Sequence, residues 1–138
     1  KPLLAIDYGN KKIGLAISSP DHRIAMPHSI IAVNNDREKL DRIIDFSVKY
    51  NICAIVVGLP VNMDGTSSSQ AKIVNSFVNK LIKKTNLPIY LQDERLTSRA
   101  ADSMLKNMGL NRRQRNERDD MVAASMILET ALESVKKL

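Results

Sequence analysis

Two short apolar runs separated by a brief turn begin the sequence and restrict its fold more than any other feature. The runs cover Leu3 to Tyr8 and Ile13 to Ile17, and the turn between them covers Gly9 to Lys12. Two apolar segments joined by a short turn rich in Gly and Asn are typical of a β-hairpin. The chain is therefore predicted to begin with two antiparallel strands.

Strand and helix patterns alternate after the hairpin. In chain order we predict a strand near residues 29–33, a helix over 37–50 capped by Asn35 or Asp36, a strand over 54–57, a helix over 70–84, a strand over 89–91, and helices over 97–108 and 119–137. An antiparallel start followed by alternation predicts an α/β fold: a mixed five-stranded sheet, three antiparallel strands then parallel strands, with helices on both faces. No boundary interrupts residues 1–138, so one domain is expected. This succession resembles the ribonuclease H-like fold.

Helical spacing and apolar runs predict the core. The residues expected inside are Leu40, Ile43, Ile44 and Val48 of the first helix, Ile73, Val74, Phe77, Val78 and Leu81 of the second, and Ala124, Leu128, Ala131, Val135 and Leu138 of the last. The single cysteine, Cys53, is expected to be a small buried apolar residue because apolar residues surround it.

Charge and composition narrow the function classes. The chain carries a formal charge of +6, with 21 Lys and Arg against 15 Asp and Glu, which favours a polyanionic partner. Aromatic residues make up only 4%, so a base-stacking platform is not expected. One cysteine excludes an internal disulfide and a Cys-rich zinc site. No apolar run reaches the length of a membrane span and no signal peptide is visible, so we expect a cytoplasmic protein without membrane contact.

Three acidic residues stand at the edges of predicted core elements. Asp7 ends the first strand on the face of Leu3 and Ala5, Glu94 follows the strand at 89–91, and Asp120 lies on the inward stripe of the last helix, four residues before Ala124. A carboxylate beside a core is costly unless it is paired or binds a cation. Together the three acids predict a divalent-metal site, and Mg²⁺ or Mn²⁺ is expected because both prefer carboxylate oxygens.

Each acid has a simpler interpretation when taken alone. Asp7 is also suited to starting the turn before Gly9, and Glu94 to a solvated charge cluster. Asp120 is also suited to capping a helix. Asp93 and Asp119 are alternative or additional ligands beside Glu94 and Asp120.

Four motifs in order resemble the YqgF family of ribonuclease H-like nucleases over nearly the whole chain. The opening motif contains residues 5–9 and 12–16, the central loop 57–60 and 62–66, the acidic motif 93–98, and the closing motif 120–124. The resemblance implies that Asp7, Glu94 and Asp120 are metal-binding catalytic acids. It also implies a hydrolase that cuts phosphodiester bonds of structured nucleic acid, with pre-16S ribosomal RNA as substrate at its 5′ end. The acidic motif here ends in Thr97-Ser98 where the family usually has two threonines.

Basic residues cluster after the acidic motif. Those predicted to contact phosphate are Arg95, Arg99, Arg112, Arg113 and Arg115, together with Lys12 in the hairpin turn. The guanidinium group binds phosphate through paired hydrogen bonds, which suits this task. A solvated surface loop is the alternative for the arginines, and an ordinary exposed turn lysine for Lys12.

Three other functions share parts of this pattern. A Holliday junction resolvase would use the same metal chemistry on branched DNA, and its two symmetric cuts would need a homodimer, whereas RNA processing is compatible with a monomer. A non-catalytic nucleic-acid-binding module would gain nothing from acids that face phosphate. An actin-like ATPase begins with a similar hairpin but needs two domains. Pre-16S rRNA processing is therefore our first hypothesis.

Overall fold

The structure, a computed structural model, describes residues 1–9, 11–59, 69–93 and 123–132. Five strands form one sheet in the order β3-β2-β1-β4-β5. The strands are β1 (Leu3–Tyr8), β2 (Ile13–Ser18), β3 (Ala25–Ile31), β4 (Ala54–Leu59) and β5 (Ile89–Asp93). β2 pairs antiparallel with β1 and β3, whereas β4 runs parallel to β1 and β5. The predicted mixed sheet with an antiparallel start is confirmed.

Helices cover both faces of this sheet, as predicted. α1 (Asp36–Lys49) and α2 (Ser69–Lys84) pack on one face, where Phe77, Leu81 and Ile43 are almost completely buried. Residues 123–132 form a third helix, α3, on the other face. Burying one such side chain contributes about 1.5–3 kcal/mol, so the two apolar layers hold the sheet between them.

Alternation along β1 divides its side chains between the two layers. Leu4, Ile6 and Tyr8 belong to the layer of α1 and α2. Ala5 packs with α3 in the opposite layer, and Leu3 contacts that layer. The end of β1 therefore presents its last two side chains, Asp7 and Tyr8, to opposite faces.

The start of β3 differs from the sequence prediction, whereas the cap of α1 is one of the two residues predicted. β3 begins at Ala25 rather than near residue 29, and it includes Pro27. Proline is tolerated because β3 is the last strand on that side of the described sheet and its ladder is irregular between Leu15 and Ala16. Asn35 is the cap of α1, and its side-chain oxygen accepts a 2.9 Å hydrogen bond from the Glu38 amide.

Three core predictions were wrong. Val48 is 77% exposed and Ile73 is 40% exposed, because each lies at the margin of its helix's apolar stripe. The buried stripe of α1 instead includes Lys39 and Ser47, four residues on either side of Ile43. Cys53 is only partly buried, since it precedes β4 and its thiol lies 3.4 Å from the Lys1 carbonyl oxygen.

Candidate active site

Asp7 lies at the end of β1 on the face covered by α3. Its neighbours two and four positions earlier, Ala5 and Leu3, contact the α3 layer, and strand alternation gives Asp7 the same direction. The Asp7 side chain is half-buried. The sequence prediction of its face is therefore confirmed.

Glycines flank Asp7 in the sheet. Gly14 of β2 is its direct partner across the antiparallel ladder. In β4, extending the register of Ile6 and Val57 by one residue places Gly58 on its other side. Neither neighbour carries a side chain, so the space beside the Asp7 carboxylate along the sheet is not filled by β2 or β4.

Gln92 continues this row on β5. It pairs with Gly58. It also lines a cavity of about 660 Å³ together with Leu3, Val56 and Ala131, but Asp7 and the two glycines do not line that cavity. The same face at the same level of the sheet thus carries an acid, two glycines and an amide. Carboxylate and amide oxygens are ligands that small hard cations such as Mg²⁺ prefer, so Asp7 and Gln92 have the donor chemistry for part of a divalent-metal site.

The remaining predicted ligands and most predicted phosphate contacts lie outside the described residues. These are Glu94, Asp120, Arg95, Arg99, Arg112, Arg113 and Arg115, together with the alternative ligand Asp119. In the described ranges, no three His, Cys, Asp or Glu side chains come together as a metal site. The site described here is therefore the part built around Asp7.

Lys12 lies in the hairpin turn immediately before β2, and its side chain is exposed. The turn that carries it depends on Gly9, because a Cβ atom there would lie 2.5 Å from the Lys12 carbonyl oxygen. Real Cβ atoms essentially never approach an oxygen so closely. Lys12 lies close to Asp7 in the sequence, across this hairpin turn. The contact of Lys12 with phosphate stays a prediction.

A polar cluster lies behind Asp7, on the face of α1 and α2. The Tyr8 hydroxyl donates a 3.1 Å hydrogen bond to Asp36 Oδ1 and accepts one of 3.4 Å from Lys39 Nζ. Lys39 Nζ is also 3.7 Å from Asp36 Oδ1 and 4.9 Å from the centre of the Tyr8 ring. Phe77 packs against the Tyr8 ring at a centroid distance of 4.5 Å. These contacts fix the end of β1 immediately after Asp7.

Burial and charge in this cluster shift the pKa values of Tyr8 and Asp36. Burial, and then the negative charge and hydrogen bond of Asp36, raise the pKa of Tyr8 to about 12. Burial alone would raise the pKa of Asp36, but hydrogen bonds from Lys80 and Tyr8 and the charges of Lys80 and Lys39 outweigh it and lower that pKa. Tyr8 therefore stays protonated and Asp36 ionised at neutral pH.

Sequence reasoning missed this cluster and the glycine row. Tyr8 and Lys39 are 31 residues apart, and no local pattern joins them. In the sequence, only the spacing of Lys39, Ile43 and Ser47 by four residues indicates that Lys39 lies on the buried stripe of α1. The positions of Gly14 and Gly58 beside Asp7 depend on strand register.

None of the described helices is long and apolar enough to cross a membrane.

The chain resembles the RuvC resolvase of T. thermophilus in complex with a Holliday junction substrate, with a TM-score of 0.63, 11% identity, and coverage of 99% of this chain and 96% of that one. It also resembles the Fowlpox virus resolvase in complex with Holliday junction DNA, with a TM-score of 0.60, 12% identity, and coverage of 98% and 99%. At such low identity these similarities show the fold alone, and they confirm the ribonuclease H-like prediction.

Sequence comparisons identify closer relatives. A protein of Rickettsia conorii named "Putative pre-16S rRNA nuclease" is 49% identical over 99% of this chain and 89% of its own length. A protein of the same name from Rickettsia canadensis is 51% identical over 98% and 88%. The model of the RuvX family, described as Holliday junction resolvase, matches residues 1–134. The chain thus belongs to the RuvX family, which is the YqgF family that its four motifs resemble.

Proposed function

We propose that this chain is a divalent-metal-dependent nuclease that processes the 5′ end of pre-16S rRNA in the cytoplasm. Near-full-length identity of about half to relatives named as pre-16S rRNA nucleases carries the proposal. The enzyme class is a hydrolase acting on nucleic acid phosphodiester bonds. The functional unit proposed is a single domain over residues 1–138.

Asp7, Glu94 and Asp120 are the proposed metal-binding catalytic acids. The direction of Asp7 and its glycine neighbours support its part. Glu94 follows Gln92 by two residues, and residues two apart in a strand share a face, so a continued β5 would direct Glu94 to the side of Asp7. Asp120 precedes the fully buried Ala124 by four residues, one helical turn, so a continued α3 would direct Asp120 towards the sheet.

Mg²⁺ or Mn²⁺ held by these acids would supply activation of the attacking water and neutralisation of charge on the phosphate. The chain's own residues do the rest. The carboxylates of Asp7, Glu94 and Asp120 orient the reacting groups, and Lys12, Arg95 and Arg99 hold the phosphate. Arg112, Arg113 and Arg115 bind flanking backbone phosphates through charge-assisted hydrogen bonds. The glycines beside Asp7 leave room for the substrate.

Holliday junction resolution is the second candidate, because the description of the family names it. The same acids would cut branched DNA, and a homodimer would supply the two symmetric cuts. RNA processing requires only a monomer.

Parallel cleavage assays separate the two candidates. Purified protein is incubated with a pre-16S rRNA fragment and with a four-way DNA junction, each with Mg²⁺, Mn²⁺ or EDTA. Metal-dependent cutting of the RNA at its 5′ side supports the proposal. Cutting of the junction alone moves the function to recombination, and binding without cutting of either would leave only a nucleic-acid-binding module.

A further inference from the structure

A basic groove lies between α1 and α2, on the opposite face of the sheet from Asp7. It has a volume of about 310 Å³ and is lined by Asp36, Arg37, Leu40, Lys80, Lys83 and Lys84. Four cations and one carboxylate give the lining a formal charge of +3. We propose that this groove binds the phosphate backbone of a second segment of the structured nucleic acid whose first segment lies at Asp7.

Among the described residues, three of the four groove cations have no ion-pair partner. Its one carboxylate, Asp36, already lies 3.0 Å from Lys80 Nζ and 3.7 Å from Lys39 Nζ. Arg37, Lys83 and Lys84 have no ion-pair partner in the part of the chain that the structure describes. All three are exposed. Cations of one sign that converge on a concave surface concentrate the field and attract a polyanion.

Two nearby acids of α1, Glu38 and Asp41, lie outside the groove. Neither lines it, and neither forms an ion pair with a groove cation among the described residues. Leu40 provides an apolar surface within the groove. An arginine and two lysines around a partly apolar hollow suit a backbone segment, in which phosphates alternate with less polar sugars.

The position of the groove indicates what shape of nucleic acid it fits. Asp36 in the groove receives the hydrogen bond of Tyr8, and Tyr8 is the residue next to Asp7. Because Asp7 and Tyr8 point to opposite faces, a ligand that reaches both places must pass around the end of the sheet. A nucleic acid with two arms, such as a stem with a single-stranded extension, can do so, whereas a short straight strand cannot. This inference rests on the proposed function for the identity of the ligand.

Binding measurements in EDTA test the groove separately from cleavage. The probes are a labelled RNA hairpin with a single-stranded arm, and the arm alone. The test variant combines Arg37→Ala, Lys83→Ala and Lys84→Ala, and the control combines Arg42→Ala, Lys49→Ala and Lys72→Ala, which removes the same charge from exposed positions outside the groove. A third variant keeps the charge through Arg37→Lys, Lys83→Arg and Lys84→Arg. Circular dichroism checks the fold of each.

We expect the test variant to bind the hairpin RNA at least about tenfold more weakly at 0.1 M salt, because each lost phosphate contact makes the negative slope of log affinity against log salt about 0.7–0.9 less steep. The control and charge-keeping variants should stay within about threefold of the wild type, and the arm alone should be affected little. If the test and control variants lost the same affinity for the hairpin RNA, the groove would not be a binding site. The same would follow if the test variant lost as much affinity for the arm alone as for the hairpin RNA. Loss of cleavage is not the readout, so an inactive wild type would reject the proposed function and still leave the groove tested.

Discussion

Asp7 and Gly14 are direct partners across the β1–β2 ladder, so the acid at the end of β1 has a neighbour without a side chain. Partners in an antiparallel pair direct their side chains to the same face, with Cβ atoms about 4.5–5.5 Å apart. Any residue larger than glycine at position 14 would therefore project beside the Asp7 carboxylate. This relationship links the hairpin motif of the sequence to the space around Asp7, the proposed catalytic acid.

Gly14→Val should reduce cleavage on the order of 100-fold, because a branched side chain beside Asp7 would displace the groups that react. Valine favours strands, so the change should leave β2 paired. Single-turnover cleavage and thermal unfolding should be measured on the same sample. A folded variant with wild-type cleavage would show that the space beside Asp7 is not used.

Tyr8 should lose its proton later than an ordinary tyrosine. Burial and the charge of Asp36 raise its pKa to about 12, from an ordinary value of 10.0. Tyrosinate absorbance during an alkaline titration should therefore show a step near pH 12, and Tyr8→Phe should remove that step. Because the folded state binds the proton more tightly, this group's contribution to stability is full below pH 10 and is lost between about pH 10 and 12. A titration complete near pH 10 in the folded protein would contradict the cluster.

Asp36→Asn should destabilise the fold more than Lys39→Met. Lys39 is almost completely buried, and removing the carboxylate at 3.7 Å leaves its charge without that counter-ion. Methionine in place of Lys39 keeps most of the apolar stem, and Asp36 keeps Lys80. We expect a loss of about 1–3 kcal/mol for Asp36→Asn, less than for a fully buried pair because Asp36 is partly exposed. Urea unfolding of both variants provides the comparison, and a larger loss for Lys39→Met would reverse this assignment.

The contribution of Asp36 should also depend on pH in one direction. Its pKa is lowered in the folded state, so the stabilisation is present above its ordinary value of 3.8 and is lost as the pH falls through the lower folded value. The difference in unfolding free energy between wild type and Asp36→Asn should therefore shrink below about pH 4. A difference that grows in acid would mean that burial, which opposes ionisation, dominates at this site.

Local sequence patterns predicted the elements but not their long-range neighbours. The hairpin, the cap at Asn35 and the face of Asp7 follow from residues adjacent in sequence or from alternation along one strand. Val48 was misassigned because helical spacing alone does not fix the margin of an apolar stripe. Lys39 was overlooked because a buried charge depends on partners far along the chain, here Tyr8.

The candidate site likewise contains features that local sequence patterns predict and features that depend on long-range neighbours. Asp7 could be selected from its position at the end of an apolar run. The glycine row depends on the register of four strands, which no segment of the sequence specifies by itself. The basic groove depends on the approach of α1 to α2. Its cation from α1, Arg37, precedes its cations from α2, Lys80, Lys83 and Lys84, by 43 or more positions in the chain.

Asp7→Asn and Asp45→Asn should be compared on a pre-16S rRNA fragment with Mg²⁺, because this comparison isolates the role of the Asp7 carboxylate in cleavage. Both changes remove one carboxylate charge and keep the side-chain shape, and Asp45 is exposed on α1, away from the site. We predict that Asp7→Asn lowers the single-turnover cleavage rate at least about 1000-fold, since it removes an acid on which several kcal/mol of charge stabilisation depend, while Asp45→Asn cleaves like the wild type. Wild-type cleavage by a folded Asp7→Asn protein would show that cleavage does not depend on the Asp7 carboxylate.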